Sequence, residues 1–172
     1  YDGLIHELNK NKGSTSIEYR QKLSEEAFSQ TAYYDSIINK YFTKKSKNIF
    51  PKRKLIHGNR IERLRYGENP HQESAIYSYG KTLDIVQLHG KKLSYNNYND
   101  LYSALNVSKN LPKNIGTVIV KHTNPCGVSI HKDQVESYKK ALRCDPVSAF
   151  GGIVSFNFKV TKKLALELNK IF

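Results

Sequence analysis

The chain has 172 residues, the length of one domain or of two incomplete ones. With 38% hydrophobic and 25% charged residues it has neither a disordered nor a membrane composition, and no apolar run approaches the ~18 residues that span a bilayer. The net charge of +13 indicates polyanionic partners, either nucleic acids or phosphorylated metabolites. Two cysteines are too few for a disulfide framework, so we expect a cytoplasmic protein with no membrane partner.

The first forty residues have the pattern of helix. Thr15 and Glu18 have the spacing of a capping box, in which each side chain accepts an N–H at the start of a helix. Residues then recur at helical spacing in an amphipathic stripe of Leu23, Ala27, Thr31, Tyr34, Ile38 and Tyr41. No strand precedes this helix, and the chain contains no methionine. We therefore expect a window of a longer protein, in which residues 1–43 close a domain whose body lies upstream. A processed mature chain is the alternative interpretation.

A strongly basic segment follows the helix. Between residues 43 and 65, nine Lys and Arg residues face one acidic residue, Glu62. A charge run of this kind is typical of a solvated linker, which we assign to residues 44–60. A basic nucleic-acid-binding module is the alternative interpretation, although Phe50 is the only aromatic residue interleaved with the charges.

Beyond Arg65, short strands and helices alternate. The predicted strands are Ala75–Tyr79, Leu83–Leu88, Thr117–Val120 and Ile153–Phe156. The predicted helices are Asp100–Leu111, Gln134–Leu142 and a helix from Thr161 onward. This alternation predicts an α/β fold with a largely parallel sheet. The β-branched run Thr117–Val120 indicates a strand that is buried on both faces.

Lys121 and His122 follow that buried strand directly. In open α/β sheets, ligands bind beyond the carboxyl ends of the strands. Burial there would lower the pKa of both side chains toward neutrality, which suits proton transfer at pH 7. Neighbours on a strand point to opposite faces, so both can serve one site only if the strand ends here, as Pro125 and Gly127 favour. A structural core histidine is the alternative interpretation of His122.

Several residues of this region have the chemistry of zinc ligands, namely His122, Cys126, His131 and Cys144. The Pro-Cys step at 125–126 matches half of a zinc-deaminase signature, but Ser129 stands where the second cysteine is required. The His-x-Glu half is also missing, because Asn124 occupies the glutamate position. We therefore expect no metal site, and we interpret Cys126 as a small packed residue.

Three further segments concentrate binding groups. Arg65 begins the first, RYGENPHQ, and suits bidentate recognition of a phosphate or a carboxamide-like edge. The amides of the second, LSYNNYND at 93–100, exceed what helix capping requires. In the third, DPVSAFGG at 145–152, Phe150 is suited to stacking on a flat heterocycle and the glycines permit close backbone approach. A tight turn before a strand explains those glycines equally well.

Four segments, in order, resemble the family of bifunctional purine-biosynthesis proteins that combine AICAR transformylase with IMP cyclohydrolase. They are RYGENPHQ at 65–72, KKLSYNNYND at 91–100, VKHTNPCG at 120–127 and DPVSAFGGI at 145–153. Residues 14–42 resemble the end of that family's cyclohydrolase domain. The resemblance implies that residues 1–43 end a methylglyoxal-synthase-like cyclohydrolase domain, and that residues 61–172 begin a cytidine-deaminase-like transformylase domain.

The resemblance also implies a reaction. In that family the co-substrate 10-formyltetrahydrofolate gives its formyl group to the 5-amino group of AICAR, and the other domain closes the product, FAICAR, to IMP. His122 occupies the position of the catalytic histidine, and Lys121 that of the adjacent lysine. Substrate-binding positions are matched by Arg65, Tyr66, Asn97, Phe150 and Gly151. Transformylase sites of the family form between two subunits, which implies a homodimer.

Overall fold

The computed structural model describes residues 1–171, which form two compact units. The first unit consists of Tyr1–Ile61 and Tyr77–Asp84, and the second of Glu62–Ile76 and residues 85–171. The helices are α1 (Asp2–Lys10), α2 (Ile17–Lys45), α3 (Tyr95–Lys109), α4 (Gln134–Cys144), α5 (Pro146–Ala149) and α6 (Lys162–Leu168). The strands are β1 (Asn59–Arg63), β2 (Ala75–Ser78), β3 (Gly116–Lys121), β4 (Asn124–Ile130) and β5 (Ile153–Phe156). Within residues 1–171, no helix is both long and apolar enough to cross a bilayer.

The start of α2 confirms the predicted helix but corrects its cap. Ser16, and not Thr15, is the N-cap residue, and its hydroxyl accepts a hydrogen bond from the Tyr19 N–H at 3.2 Å. The carboxylate that returns to the cap is Glu7 of α1, whose Oε1 accepts the Ser16 N–H at 3.0 Å. The Ser16 hydroxyl also donates to this Oε1, and the hydroxyl and N–H of Ser16 together hold the pKa of Glu7 below its usual value. The predicted partner, Glu18, is exposed, because α1 brings a carboxylate to the cap first.

The stripe predicted along α2 is helical but poorly covered. Leu23, Tyr34 and Tyr41 of the stripe are all exposed, and Ser36 is the buried residue of the helix. Residues 46–58 follow, all of them described, and they contain neither helix nor strand. The periodicity therefore predicted the helix correctly, although this unit by itself leaves most of the stripe in solvent.

The sheet of the second unit is antiparallel, which corrects the prediction of a largely parallel sheet. Its strand order is β4-β3-β5, and β3 pairs antiparallel with both neighbours. The chain reverses direction in a two-residue hairpin turn between β3 and β4. Alternation of strands and helices predicts an α/β fold, but it does not determine the direction of each strand, because long-range hydrogen bonds decide that direction.

The strand predicted at Leu83–Leu88 is also wrong. Residues 83–88, all described, contain no strand, whereas the predicted strand at 75–79 appears as β2 paired with β1. Gln87 instead closes a loop, because its side-chain amide donates to the carbonyl oxygens of His89 at 3.0 Å and Lys91 at 2.7 Å. The local pattern was compatible with a strand, but a strand also needs a paired neighbour.

Strand β3 is buried on both faces, as its β-branched run predicted. Thr117, Val118, Ile119 and Val120 are all fully buried. On one face, Ile119 belongs to an apolar cluster with residues of α4, α5 and α6. On the other face, Val118 and Val120 form a second cluster with Ala104 of α3. Successive side chains of a strand point to opposite faces, so one short strand supports two hydrophobic clusters.

Helices α3, α4 and α6 and strand β5 confirm predicted elements, and the ends of the three helices are shifted. Helix α3 begins at Tyr95, five residues before the predicted start at Asp100, because Ser94 and Asn97 form a capping box. Helix α4 and strand β5 begin at their predicted residues. Thr161 is the N-cap of α6, and its hydroxyl accepts the Leu164 N–H at 3.4 Å.

Candidate active site at the hairpin between β3 and β4

Lys121 and His122 lie at the end of β3, where the chain turns back into β4. Lys121 pairs with Asn124 in the register, so His122 and Thr123 form a two-residue turn. Both turn residues have positive φ, 51° and 63°, as type I′ hairpin turns require. The Asn124 side-chain amide donates to the His122 carbonyl oxygen at 2.9 Å. The strand therefore ends at Lys121, as expected, and the turn carries His122 beyond the sheet.

His122 borders a polar cleft of about 320 Å³ in the second unit, lined by Glu68, Asn96, Asn99, Asp100, His122 and Thr123. Three of the four segments that resemble the purine-biosynthesis family contribute to this lining. Two of them are joined directly, because the Asn96 side-chain amide donates to the Glu68 carbonyl oxygen at 3.2 Å. The cleft thus combines carboxylates, which accept hydrogen bonds, with amide, hydroxyl and imidazole groups, which both donate and accept them.

The segment RYGENPHQ presents Glu68 from a compact loop. The Gly67 N–H donates to the Gln72 carbonyl oxygen at 2.7 Å, and the Asn69 N–H donates to the Gln72 Oε1 at 2.9 Å. Gly67 is buried, and a Cβ there would lie 2.8 Å from the Gln72 Cβ, so a side chain at this position would push the loop apart. The segment is therefore a folded loop that is closed by its own hydrogen bonds.

Arg65 and Tyr66 lie at the start of that loop. The Arg65 guanidinium stacks over the Tyr66 ring, with 5.5 Å between the guanidinium carbon and the ring centroid. Arg65 is exposed and Tyr66 is half-buried. Neither side chain lines the cleft around His122, so the two form a separate cationic and aromatic pair on the same segment.

Lys121 contacts the fourth segment. Its ammonium donates to the Phe150 carbonyl oxygen at 2.9 Å. Asp145 caps α5 by accepting the Ser148 N–H at 2.9 Å, and the hydrogen bonds from Ser148 lower the pKa of Asp145. Gly151 follows with a φ of 75°, a conformation that favours glycine. Phe150 is 68% exposed, so a ligand can reach its side chain.

Asn97 has a structural use in this unit. Its Oδ1 accepts the Ser94 N–H at 3.1 Å and the Ser94 hydroxyl at 3.0 Å, which completes the capping box of α3. Its neighbours Asn96 and Asn99 line the cleft instead. Sequence reasoning did not single out these two asparagines, but the excess of amides over capping needs was the signal that could have found them.

The predicted burial of the Lys–His pair is only partly observed. Lys121 is half-buried, but His122 is exposed, because the hairpin turn projects from the end of the sheet. Cys126 packs against the cluster around Ile119, as interpreted, and its thiol donates to the Ile119 carbonyl oxygen at 3.5 Å. That burial raises the pKa of the Cys126 thiol. Among residues 1–171, no three His, Cys, Asp or Glu side chains are grouped to hold a metal ion.

Several known proteins are similar to this chain along its whole length. The bifunctional purine biosynthesis protein PurH of Listeria welshimeri is 43% identical over 177 residues, covering 100% of this chain and 34% of its own length. PurH of Persephonella marina is 45% identical over 181 residues, with 100% and 35% covered. PurH of Rippkaea orientalis is 40% identical over 180 residues, also with 100% and 35% covered. The chain therefore spans about a third of the length of these relatives.

A family model described as the AICARFT/IMPCHase bienzyme matches residues 1–172. The match includes all four segments that form the cleft and the Lys121–Phe150 contact. It also includes the basic segment and the helices of the first unit. The chain belongs to the AICARFT/IMPCHase bienzyme family.

Proposed function

We propose that this chain is part of a bifunctional enzyme of de novo purine biosynthesis. The enzyme transfers the formyl group of 10-formyltetrahydrofolate to AICAR and cyclises the product, FAICAR, to IMP. Membership of the family supports this proposal. The structural observation that carries it is the convergence of three separate segments on one cleft at His122, with the fourth segment bonded to the adjacent Lys121.

In this proposal, different parts of the chain belong to the domains that carry the two activities. Residues 1–43 belong to the methylglyoxal-synthase-like cyclohydrolase domain, residues 44–60 form the basic linker, and residues 61–172 begin the cytidine-deaminase-like transformylase domain. The α/β arrangement of the second unit, with helices on both faces of β3, is consistent with the start of such a domain. The whole enzyme is cytoplasmic and homodimeric, and its transformylase sites form between two subunits.

His122 acts as the general base of formyl transfer. The 5-amino group of AICAR is a poor nucleophile, because its lone pair is delocalised toward the neighbouring carboxamide. As the amine nitrogen bonds to the formyl carbon, His122 removes the amine proton. The bond between the formyl carbon and N10 of the folate then breaks, and N10 takes up a proton as it leaves. The exposed position of His122 at the cleft supports this role.

Lys121 supplies positive charge to the same step. Its ammonium either stabilises the negative charge that develops on the formyl oxygen or protonates the leaving N10. The hydrogen bond to the Phe150 carbonyl oxygen occupies one of its three donors and orients the others. An ammonium held by a backbone contact loses little freedom when the transition state forms, which favours catalysis.

The remaining predicted residues bind AICAR. Arg65 and Tyr66 recognise its phosphate or carboxamide with a guanidinium and a phenol. Phe150 stacks on the imidazole ring, and Gly151 lets the ligand approach the backbone. Asn97 offers its side-chain NH₂ group to AICAR, because its Oδ1 already accepts the Ser94 N–H and hydroxyl in the capping box of α3.

The decisive experiment replaces His122 in the natural protein that carries this chain. We expect His122→Ala to reduce formyl transfer by about 10²-fold to 10⁴-fold, the range measured for positioned proton-transfer groups. Cyclohydrolase activity, measured on FAICAR in the same preparation, should be unchanged. His131→Ala is the matched control, because His131 lies beyond β4 and outside the cleft. Near-normal formyl transfer by His122→Ala would contradict the role of His122.

A further inference from the structure

The turn that carries His122 has an unfavourable backbone conformation. His122 and Thr123 have φ values of 51° and 63°, in the left-handed region. Histidine adopts this region more readily than most residues, but a β-branched residue such as Thr is a genuine outlier there. A conformation of this kind persists only where surrounding groups hold it. Thr123 therefore needs a stabilising contact from outside the turn.

Asp100 supplies that contact. Its Oδ1 accepts the Thr123 N–H at 2.7 Å, the short distance typical of a charge-assisted hydrogen bond. The other side-chain bonds of the turn are local, because Thr123 and Asn124 both donate to the His122 carbonyl oxygen. The bond from Asp100 spans 23 residues, so it ties the turn to α3.

Helix α3 is a firm support for this bond. Its Ala104 is fully buried and packs against Val118 and Val120 of β3, the strand that leads into the turn. Asp100 lies in the second turn of α3, beyond the capping positions filled by Ser94 and Asn97. Aspartate is a poor residue for a helix interior, so helix formation does not explain its presence there. The contact with Thr123 does explain it.

We propose that Asp100 is a positioning residue for His122, and that its carboxylate holds the His122–Thr123 turn in the conformation that places the imidazole in the cleft. This inference rests on the proposed role of His122 in formyl transfer. Asp100 acts through the backbone N–H of Thr123, and it need not touch the reacting atoms. Without the bond the turn relaxes, the imidazole moves, and the attacking amine loses an aligned base.

The test compares Asp100→Ala with Asp100→Asn in the natural protein. A misplaced catalytic group can cost about 10²-fold, so we expect Asp100→Ala to lower kcat of formyl transfer by about that factor. The KM for AICAR should stay within about twofold, since an interaction needed only in the transition state changes kcat rather than KM. Asp100→Asn should recover most of kcat, because the amide oxygen still accepts the Thr123 N–H.

One measurement makes the test independent of activity. Hydrogen exchange at the Thr123 amide should become faster in Asp100→Ala and return toward the original rate in Asp100→Asn. Asp133→Ala is the matched control, because Asp133 accepts the Glu136 N–H at 2.9 Å in the same unit but caps α4 away from the cleft. It should change neither kcat nor exchange at Thr123.

A second substitution tests whether Asp100 positions His122 by stabilising the turn. Glycine suits the second position of a type I′ turn, so Thr123→Gly should make the turn less dependent on Asp100. We expect the loss of kcat caused by Asp100→Ala to be smaller in the Thr123→Gly background. The double variant also provides the comparison if Asp100→Ala alone does not fold.

Three results would overturn the inference. Unchanged exchange at Thr123 in Asp100→Ala would show that Asp100 does not hold the turn. An equal loss of kcat in Asp100→Asn and Asp100→Ala would assign the effect to the charge of Asp100 instead of its bond. If Asp100→Ala lowered kcat equally with Thr123 and with Thr123→Gly, the effect of Asp100 would not act through the turn. If His122→Ala retains formyl transfer, the proposed function fails, but the exchange result still decides whether Asp100 holds the turn.

Discussion

The ammonium of Lys121 donates a hydrogen bond to the backbone carbonyl oxygen of Phe150 at 2.9 Å, across 29 residues of sequence. The bond joins the end of β3 to the turn between α5 and β5. It leaves two of the three ammonium donors for other partners. One lysine thereby links two segments that were predicted separately as site elements.

Replacing Lys121 tests whether its ammonium takes part in formyl transfer and whether its bond to Phe150 stabilises the turn between α5 and β5. Lys121→Met keeps most of the stem but removes the charge and the donors, so formyl transfer should fall by about 10²-fold to 10³-fold, as on loss of a transition-state donor. Hydrogen exchange at residues 150–152 should become faster, because the turn loses its tie to β3. Steady-state kinetics and exchange mass spectrometry of the natural protein measure the two effects.

Lys140→Met is the control, because Lys140 is exposed on α4. It should leave both measurements unchanged. If Lys121→Met retained full transfer activity, the contact with Phe150 would have only a structural use.

Gly127 is needed where β4 meets α4. A Cβ at this position would lie 2.1 Å from the carbonyl oxygen of Ala141 and 2.8 Å from its carbonyl carbon. These are backbone atoms, so a rotamer change cannot relieve the clash. Overpacking typically costs about 1–3 kcal/mol, and we expect Gly127→Ala to reach the upper end of that range. The denaturant midpoint of the natural protein measures the loss.

Gly80→Ala is the matched control, because a Cβ there would meet no atom closer than 3.9 Å and no positive φ is involved. It should change the midpoint little. A Gly127→Ala variant with the original midpoint would mean that β4 and α4 can separate without cost.

The reactivity of Cys126 should depend on pH in a defined direction. Burial raises the pKa of its thiol, and the thiolate is the nucleophile. The thiol therefore loses its proton at a higher pH than an ordinary cysteine does, and its alkylation should increase only at that higher pH. At pH 8, iodoacetamide should modify the exposed Cys144 before the half-buried Cys126, as site-resolved mass spectrometry would show.

Unfolding in urea supplies the control, since it should remove most of the difference between the two cysteines. Faster modification of Cys126 than of Cys144 in the folded protein would contradict both the burial and the direction of the pKa shift.

Local pattern was sufficient for much of the second unit. The run Thr117–Val120 predicted a strand buried on both faces, and β3 extends it by one residue at each end. Helix α4 and strand β5 begin where their patterns begin. In each case the spacing of apolar side chains matches the faces that are buried in the fold. The residues of the element alone are therefore enough to predict it.

The hairpin was missed because its local signals are weak. The turn residues His122 and Thr123 differ from the Asn-Gly and Gly-x pairs that are typical of two-residue hairpin turns. Pro125 was interpreted as the end of a strand, but it lies in β4. That strand is at the edge of the sheet, where a missing N–H is tolerated. Only the position of β4 in the sheet makes Pro125 acceptable.

The order of residues along the chain was enough to identify the family segments, the buried strand and the Lys121–His122 pair at its end. The tertiary structure alone decided that Glu68, Asn96, Asn99 and Asp100 surround His122. It also decided that Asn97, between two cleft residues, caps its helix. Side chains more than twenty residues apart meet only after helices pack on a sheet, and neither periodicity nor residue type encodes which of them will face the same space.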